Sequence, residues 1–188
     1  MQPSPSNTLV VIPTRMAAIR MPGKPLADIC GEPMIVRVWR RAVEAQVGPV
    51  LVAAAEDVIA QARATAGGEA ILTDPALASG TDRVAAAVAM RDPDRRFRFV
   101  INLQGDLPTI RPSDIRDCLK PLASTQSDIA TLATEIRDTE ELENPNVVKA
   151  YVDLESADMA VADGFRREPG RLRPQWHHIG IHSYPRGP

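Results

Sequence analysis

Aromatic side chains are scarce in this chain, with 2 Trp, 2 Tyr and 3 Phe among 188 residues. The core must therefore be built mainly from Ala, Val, Ile and Leu. Cysteine is scarce too. Cys30 and Cys118 lie too far apart for metal-ligand spacing, so reduced thiols are expected. No apolar run approaches the ~20 residues that a membrane-spanning helix needs. Residues 1–8 have neither the basic stretch nor the apolar stretch of a secretory leader, so a cytoplasmic chain with no membrane partner is expected. An excess of either charge is also missing: 22 Lys+Arg against 24 Asp+Glu leaves a formal net charge of -2. That balance argues against a nucleic-acid partner held through phosphate contacts. The phosphate loop of kinases and ATPases is absent, because Lys24 is followed by Pro25 rather than Ser or Thr. No internal repeat or low-complexity block is present.

What is present alternates. At 44% hydrophobic, the chain suits one α/β domain with a proper core and a small appendage. Short apolar runs predict buried strands at residues 9–14 and 49–54, a third, short strand at 70–73 and a fourth strand at 97–103. Between them, helices are predicted at residues 34–43, 56–66 and 84–90. In the first of these, Met34, Ile35, Val38, Trp39, Ala42 and Val43 recur at helical spacing, and Trp39 is expected to be packing. Further on, a helix is predicted over 112–122, strands over 128–136 and 147–152, and a last strand over 176–184. Residues 155–175 carry no secure pattern. Alternating strands and helices predict an α/β fold, a mostly parallel sheet with helices on both faces.

Such a sheet binds ligands beyond the carboxyl ends of its strands, and three loops are expected at that edge. The first follows the first strand and carries Arg15, Arg20 and Lys24, with Gly23 allowing close approach and Pro22 and Pro25 stiffening the path. Three cations on one short loop suggest a polyanion, most simply a triphosphate. The second loop, Ser79-Gly80-Thr81-Asp82-Arg83, opens a helix. Its hydroxyls suit either an N-cap by Ser79 or Thr81 or an acceptor-rich ligand. The third, Gln104-Gly105-Asp106, follows a central strand and places a carboxylate where a divalent ion could be held against phosphate oxygens.

The chain resembles the sugar-activating cytidylyltransferases, and among them the CMP-Kdo synthetase family, whose sugar substrate is 3-deoxy-D-manno-octulosonate (Kdo). The stretches that carry the likeness are Val11-Ile12-Pro13-Thr14-Arg15, Met21-Pro22-Gly23-Lys24-Pro25-Leu26, Gly31-Glu32-Pro33-Met34-Ile35, the Ser79–Arg83 and Asn102–Pro108 loops, Asn144-Pro145-Asn146-Val147-Val148-Lys149, and His178-Ile179-Gly180-Ile181. Their order and spacing run from residue 9 to about residue 182.

The resemblance implies a Rossmann-like fold of the nucleotide-diphospho-sugar transferase type and a cytoplasmic homodimer. It implies an enzyme coupling CTP to Kdo, with release of pyrophosphate, for lipopolysaccharide biosynthesis. It also implies site roles. Arg15 and Lys24 would bind the CTP phosphates, and Ser79, Gly80, Thr81 and Arg83 would line the nucleotide. Gln104 would sit near the base or sugar, Asp106 would hold Mg²⁺, and His178 would face the Kdo pocket. Lys24, Arg15 and Asp106 would carry the catalysis. Residues 9–152 would form the nucleotide-binding domain and residues 153–188 a partial sugar-binding and dimerisation segment.

The chain departs from the family in three places. The aromatic-Ser-Arg segment expected after residue 152 is not matched by Met159-Ala160-Val161-Ala162-Asp163-Gly164-Phe165, His182 stands where the family usually has Tyr, and the family continues past residue 188. From these departures the chain is expected to bind CTP and to make CMP-Kdo poorly or not at all. The alternatives are a catalytically impaired nucleotide-binding homologue and a cytidylyltransferase for another sugar acid.

Overall fold

The computed structural model describes residues 1–17, 21–124, 127–154, 157–169 and 175–187. Arg20, the third cation expected on the basic loop, lies outside them, as do residues 170–174 of the unassigned stretch. The chain divides into two compact units: Met1–Ala130 with Ile181–Pro188, and Thr131–Gly180. The sequence reading put the division at residue 152. The difference arises because the last strand returns to the first unit, whereas residues 131–152 join the second.

In the first unit, β1 (Thr8–Thr14), β2 (Val50–Ala54) and β4 (Phe99–Leu103) are buried at every residue. Burial on both faces is what makes such strands read as unbroken apolar runs. With β3 (Glu69–Leu72) they form a parallel array in the order β3-β2-β1-β4. Val10 lies beside Val50 on one flank and Ile101 on the other. The end of β8 (Gln175–Pro185) runs antiparallel to β4, pairing Ile181 with Leu103.

Leu9, Val11, Leu51, Ala53 and Val100 form one core cluster with Val84, Ala87 and Val88 of α3 (Gly80–Arg91). Ile12 points to the other face by strand alternation. There it and Ile35 of α1 (Met34–Glu44) both approach the space beside Gly105. Helices thus cover both faces. The expected α1 stripe is buried at Met34, Ile35, Val38 and Ala42; Val36 is buried as well, and Val43 is exposed. Trp39 packs as expected, against a charged partner. The guanidinium carbon of Arg63, on α2 (Asp57–Thr65), lies 3.2 Å from its ring centroid. Burial, then Arg40, lowers the Arg63 pKa to about 10.

The single helix expected over 112–122 is two, α4 (Pro112–Asp117) and α5 (Lys120–Ser124). Pro121 explains the break, since it has no N–H to donate and its ring crowds the preceding turn. Asp92, buried just past α3, accepts hydrogen bonds from the Arg96 and Phe97 amides at 2.9 Å each and from Arg186 Nη1 at 2.5 Å.

The second unit holds the first part of β8, with β6 (Lys149–Tyr151) antiparallel to it and β7 (Gly164–Arg166) antiparallel to β6. β5 (Ala130–Glu135) also pairs with β8. Lys149 is fully buried, and its ammonium donates to the carbonyls of Asn144 at 2.7 Å and Arg167 at 2.8 Å. α6 (Thr139–Glu143) carries Glu141, whose Oε1 is 2.5 Å from His177 Nδ1.

Candidate active site

An open cleft of about 250 Å³ lies at the carboxyl ends of β1 and β4. Each wall is fixed by local chemistry. Gly23 has φ 75, the left-handed region where glycine is at ease, and it opens a 3₁₀ turn over Lys24–Leu26. Its N–H donates to the Met16 carbonyl at 3.1 Å, which brings Lys24 back beside Arg15. Gly105 lets the loop after β4 lie against β1. A Cβ there would come within 3.1 Å of the Pro13 carbonyl and 3.5 Å of Ile35 Cδ1. Pro13, Pro25, Met34 and Leu77 supply apolar lining.

The third wall is the start of α3. Ser79 is its N-cap: the hydroxyl accepts from the Asp82 amide at 3.1 Å and donates to Asp82 Oδ2 at 2.7 Å, while the Ser79 amide donates to Asp82 Oδ2 at 3.1 Å. Of the two candidate caps, Ser79 takes the role and Thr81 does not. Gly80 brings the helix start to the cleft, and a helix N-terminus favours anionic groups.

Arg83 reaches the cleft from the first turn and is almost fully buried. Its Nη1 donates to Thr73 Oγ1 at 2.5 Å and to the Asp74 carbonyl at 3.1 Å. Both acceptors are neutral. Burial lowers its pKa, Glu56 acts against that, and Arg15 adds like-charge repulsion. Gln104 is oriented by buried Asn102, whose Oδ1 accepts from its amide nitrogen at 3.3 Å. Lys24 Nζ is 2.7 Å from Asp106 Oδ2.

The structure therefore brings Arg15, Lys24, Ser79, Gly80, Arg83, Gln104 and Asp106 to one cleft. Thr81 is exposed in the first turn of α3 and does not line it. His178 belongs to the second unit. There its Nε2 lies 2.9 Å from Thr131 Oγ1, and its ring meets Phe165 edge-on at 5.0 Å. His182 faces Asn102 in the β4–β8 register, and burial lowers its pKa. Sequence reasoning missed Glu56, whose carboxylate binds the Met16 amide, because nothing local links residues 40 positions apart.

Among the described residues no group of three or more His, Cys, Asp or Glu side chains could hold a metal. Asp106 offers one carboxylate open to solvent. That donor set fits an ion such as Mg²⁺, which takes one or two carboxylates together with substrate phosphates and water.

A mixed sheet whose parallel strands bring cations and one carboxylate together beyond their carboxyl ends is the architecture of a nucleotidyltransferase. A profile described as cytidylyltransferase matches residues 9–182. The 3-deoxy-manno-octulosonate cytidylyltransferase of Parvibaculum lavamentivorans is 54% identical over 96% of this chain and 70% of its own length. That of Rhodospirillum rubrum is 56% identical over 95% of this chain and 72% of its own. A solved structure of CMP:2-keto-3-deoxy-manno-octonic acid synthetase complexed with CTP superposes with a TM-score of 0.81 at 36% identity, covering 96% of this chain and 74% of that one. The chain belongs to the 3-deoxy-manno-octulosonate cytidylyltransferase family. With these relatives, the enzyme reading holds over that of an impaired nucleotide-binding homologue.

Proposed function

We propose that the chain couples CTP to Kdo, giving CMP-Kdo and pyrophosphate for lipopolysaccharide biosynthesis, as a cytoplasmic homodimer. The observation that carries this reading is the convergence of Arg15, Lys24, Arg83 and Asp106 on one cleft in a chain of this family.

In the proposed reaction the anomeric hydroxyl of Kdo attacks the α-phosphorus of CTP and pyrophosphate leaves. Such a transfer needs positioning and charge neutralisation more than covalent help. Arg15 and Lys24 bind the phosphates and stabilise the leaving pyrophosphate, the guanidinium being suited to bidentate contact and the ammonium acting as a compact charge. Arg83, whose hydrogen bonds to Thr73 and to the Asp74 carbonyl go to neutral acceptors, brings its charge to the cleft. Ser79, Gly80 and Gln104 line the nucleotide, with Thr81 beside them on the helix start, and His178 contacts Kdo. Asp106 is the carboxylate that would hold Mg²⁺, which when bound neutralises phosphate charge. Seating the nucleotide separates the Lys24–Asp106 pair, freeing the ammonium for phosphate.

The test is turnover on the purified chain with CTP, Kdo and Mg²⁺. Pyrophosphate release that requires both substrates supports the reading. Absence of both release and CTP binding overturns it.

A further inference from the structure

Glu56 stands at the N-cap position of α2, where Ser, Thr, Asp or Asn ordinarily accept from the first helical amides. Here it makes no such bond. Its Oε2 instead accepts from the Met16 amide at 3.0 Å. Met16 is then held from both sides, because its own carbonyl accepts from the Gly23 amide at 3.1 Å. One residue before Met16 is Arg15, and one after Gly23 is Lys24. A second strut runs alongside, from the Ala55 amide to the Thr14 carbonyl at 3.0 Å. The junction between β2 and α2 thus holds the end of β1 and the loop after it at two points, Thr14 and Met16, one on either side of Arg15.

We infer that Glu56 is a positioning residue for the phosphate-binding cations, anchoring the Met16 backbone so that Arg15 and Lys24 are held at a fixed spacing for a triphosphate. It touches no substrate. It acts by ordering before the ligand arrives, which lowers the entropy lost when the nucleotide binds. The carboxylate matters as an acceptor for one amide rather than as a charge, since a negative group behind a phosphate site would by itself weaken anion binding. This inference deepens the proposed function and rests on the cleft being the CTP site.

Two variants separate the acceptor from the charge. Glu56→Gln keeps a carbonyl within reach of the Met16 amide, and Glu56→Ala removes it. CTP binding by calorimetry should weaken about tenfold in Glu56→Ala and stay within about twofold of the parent chain in Glu56→Gln. Exchange of the Met16 amide, followed by NMR, should accelerate in Glu56→Ala alone. A normal melting curve for both variants separates this effect from unfolding. Unchanged CTP affinity in Glu56→Ala, equal losses in the two variants, or a Met16 amide still protected in Glu56→Ala would each overturn the inference. The exchange measurement needs no nucleotide. If the parent chain fails to bind CTP, the functional reading falls while the anchor is still decided.

Discussion

In the first unit β1, β2 and β4 are covered at every residue, whereas in the second β5, β7 and the first part of β8 are only partly covered. One polar pair from each unit shows the same contrast, although exposed pairs such as Arg41–Glu44 occur in the first unit as well. Asp92 and Arg186, in the first unit, have side chains 1% and 15% exposed. Glu141 and His177, in the second, are 26% and 32% exposed. The cleft pair, Lys24 and Asp106, also in the first unit, is more exposed than either, at 35% and 48%. Equally short contacts therefore have unequal consequences. A buried pair cannot fall back on water when it is broken, so it is coupled to folding. An exposed pair can, so it is free to exchange partners for a ligand.

Breaking the buried pair should have the largest effect. Asp92→Ala removes the acceptor of two amides and leaves Arg186 without its carboxylate, a loss on the order of 3 kcal/mol of stability. Burial alone would raise the Asp92 pKa, but the Phe97 and Arg96 amides and Arg186 outweigh it and hold it below the ordinary carboxylate value. The folded pKa is thus the lower one. Its stabilisation is complete above the unfolded pKa of about 4 and is lost as pH falls through the folded value. Chemical denaturation between pH 7 and pH 3 should show the parent chain losing stability on the acid side, with the Asp92→Ala profile flatter there. Parallel profiles would remove Asp92 from the account.

The same contrast explains what could be read from the sequence. β1, β2 and β4 were legible because burial on both faces leaves no polar interruption in Leu9-Val10-Val11-Ile12 or Phe99-Val100-Ile101. The cleft was legible because topology alone carries Arg15, Ser79 and Asp106 to one edge once the strands are known. β7 was not, since Gly164-Phe165-Arg166 has no strand pattern of its own and is fixed by pairing to β6 and by Lys149. Ser79 and Thr81 were equal candidates as the cap until the Asp82 contact distinguished them. Glu56 read as an ordinary helix start, because its partner is distant in the chain.

The exposed cleft pair makes the second prediction. Lys24→Ala should weaken CTP binding about 10- to 100-fold, the scale of one lost charge-assisted contact. Stability should change by no more than about 0.5 kcal/mol, because the ammonium is open to solvent. Calorimetry and a melting curve on the same sample check both parts. CTP affinity equal to that of the parent chain would exclude Lys24 from phosphate binding.

Asp106→Asn tests the other partner and sharpens the contrast. It preserves shape, removes the charge, and should cost about tenfold in the Mg²⁺-dependent part of CTP binding. Without Mg²⁺, binding should hold or tighten, because Lys24 is released from its carboxylate. Titrations with Mg²⁺ and with a chelator separate the two. A full Mg²⁺ effect surviving in the variant would place the ion on other ligands.

The smallest effect is expected in the second unit. Glu141→Gln keeps an acceptor for His177 and removes the carboxylate charge from a hydrogen-bonded contact that water reaches on both sides. The expected loss is about 0.2–1 kcal/mol, the range of exposed pairs. Asp138 still caps α6, with its Oδ1 accepting from the residue 141 amide at 2.6 Å, so the helix keeps its start. Because the charge is partly solvated, added salt should shrink the difference between parent and variant. For the buried Asp92 pair the corresponding difference should persist in salt. Denaturant unfolding at low and high salt on both variants makes the comparison directly. A Glu141→Gln loss as large as that of Asp92→Ala, and as indifferent to salt, would mean that exposure does not grade these pairs.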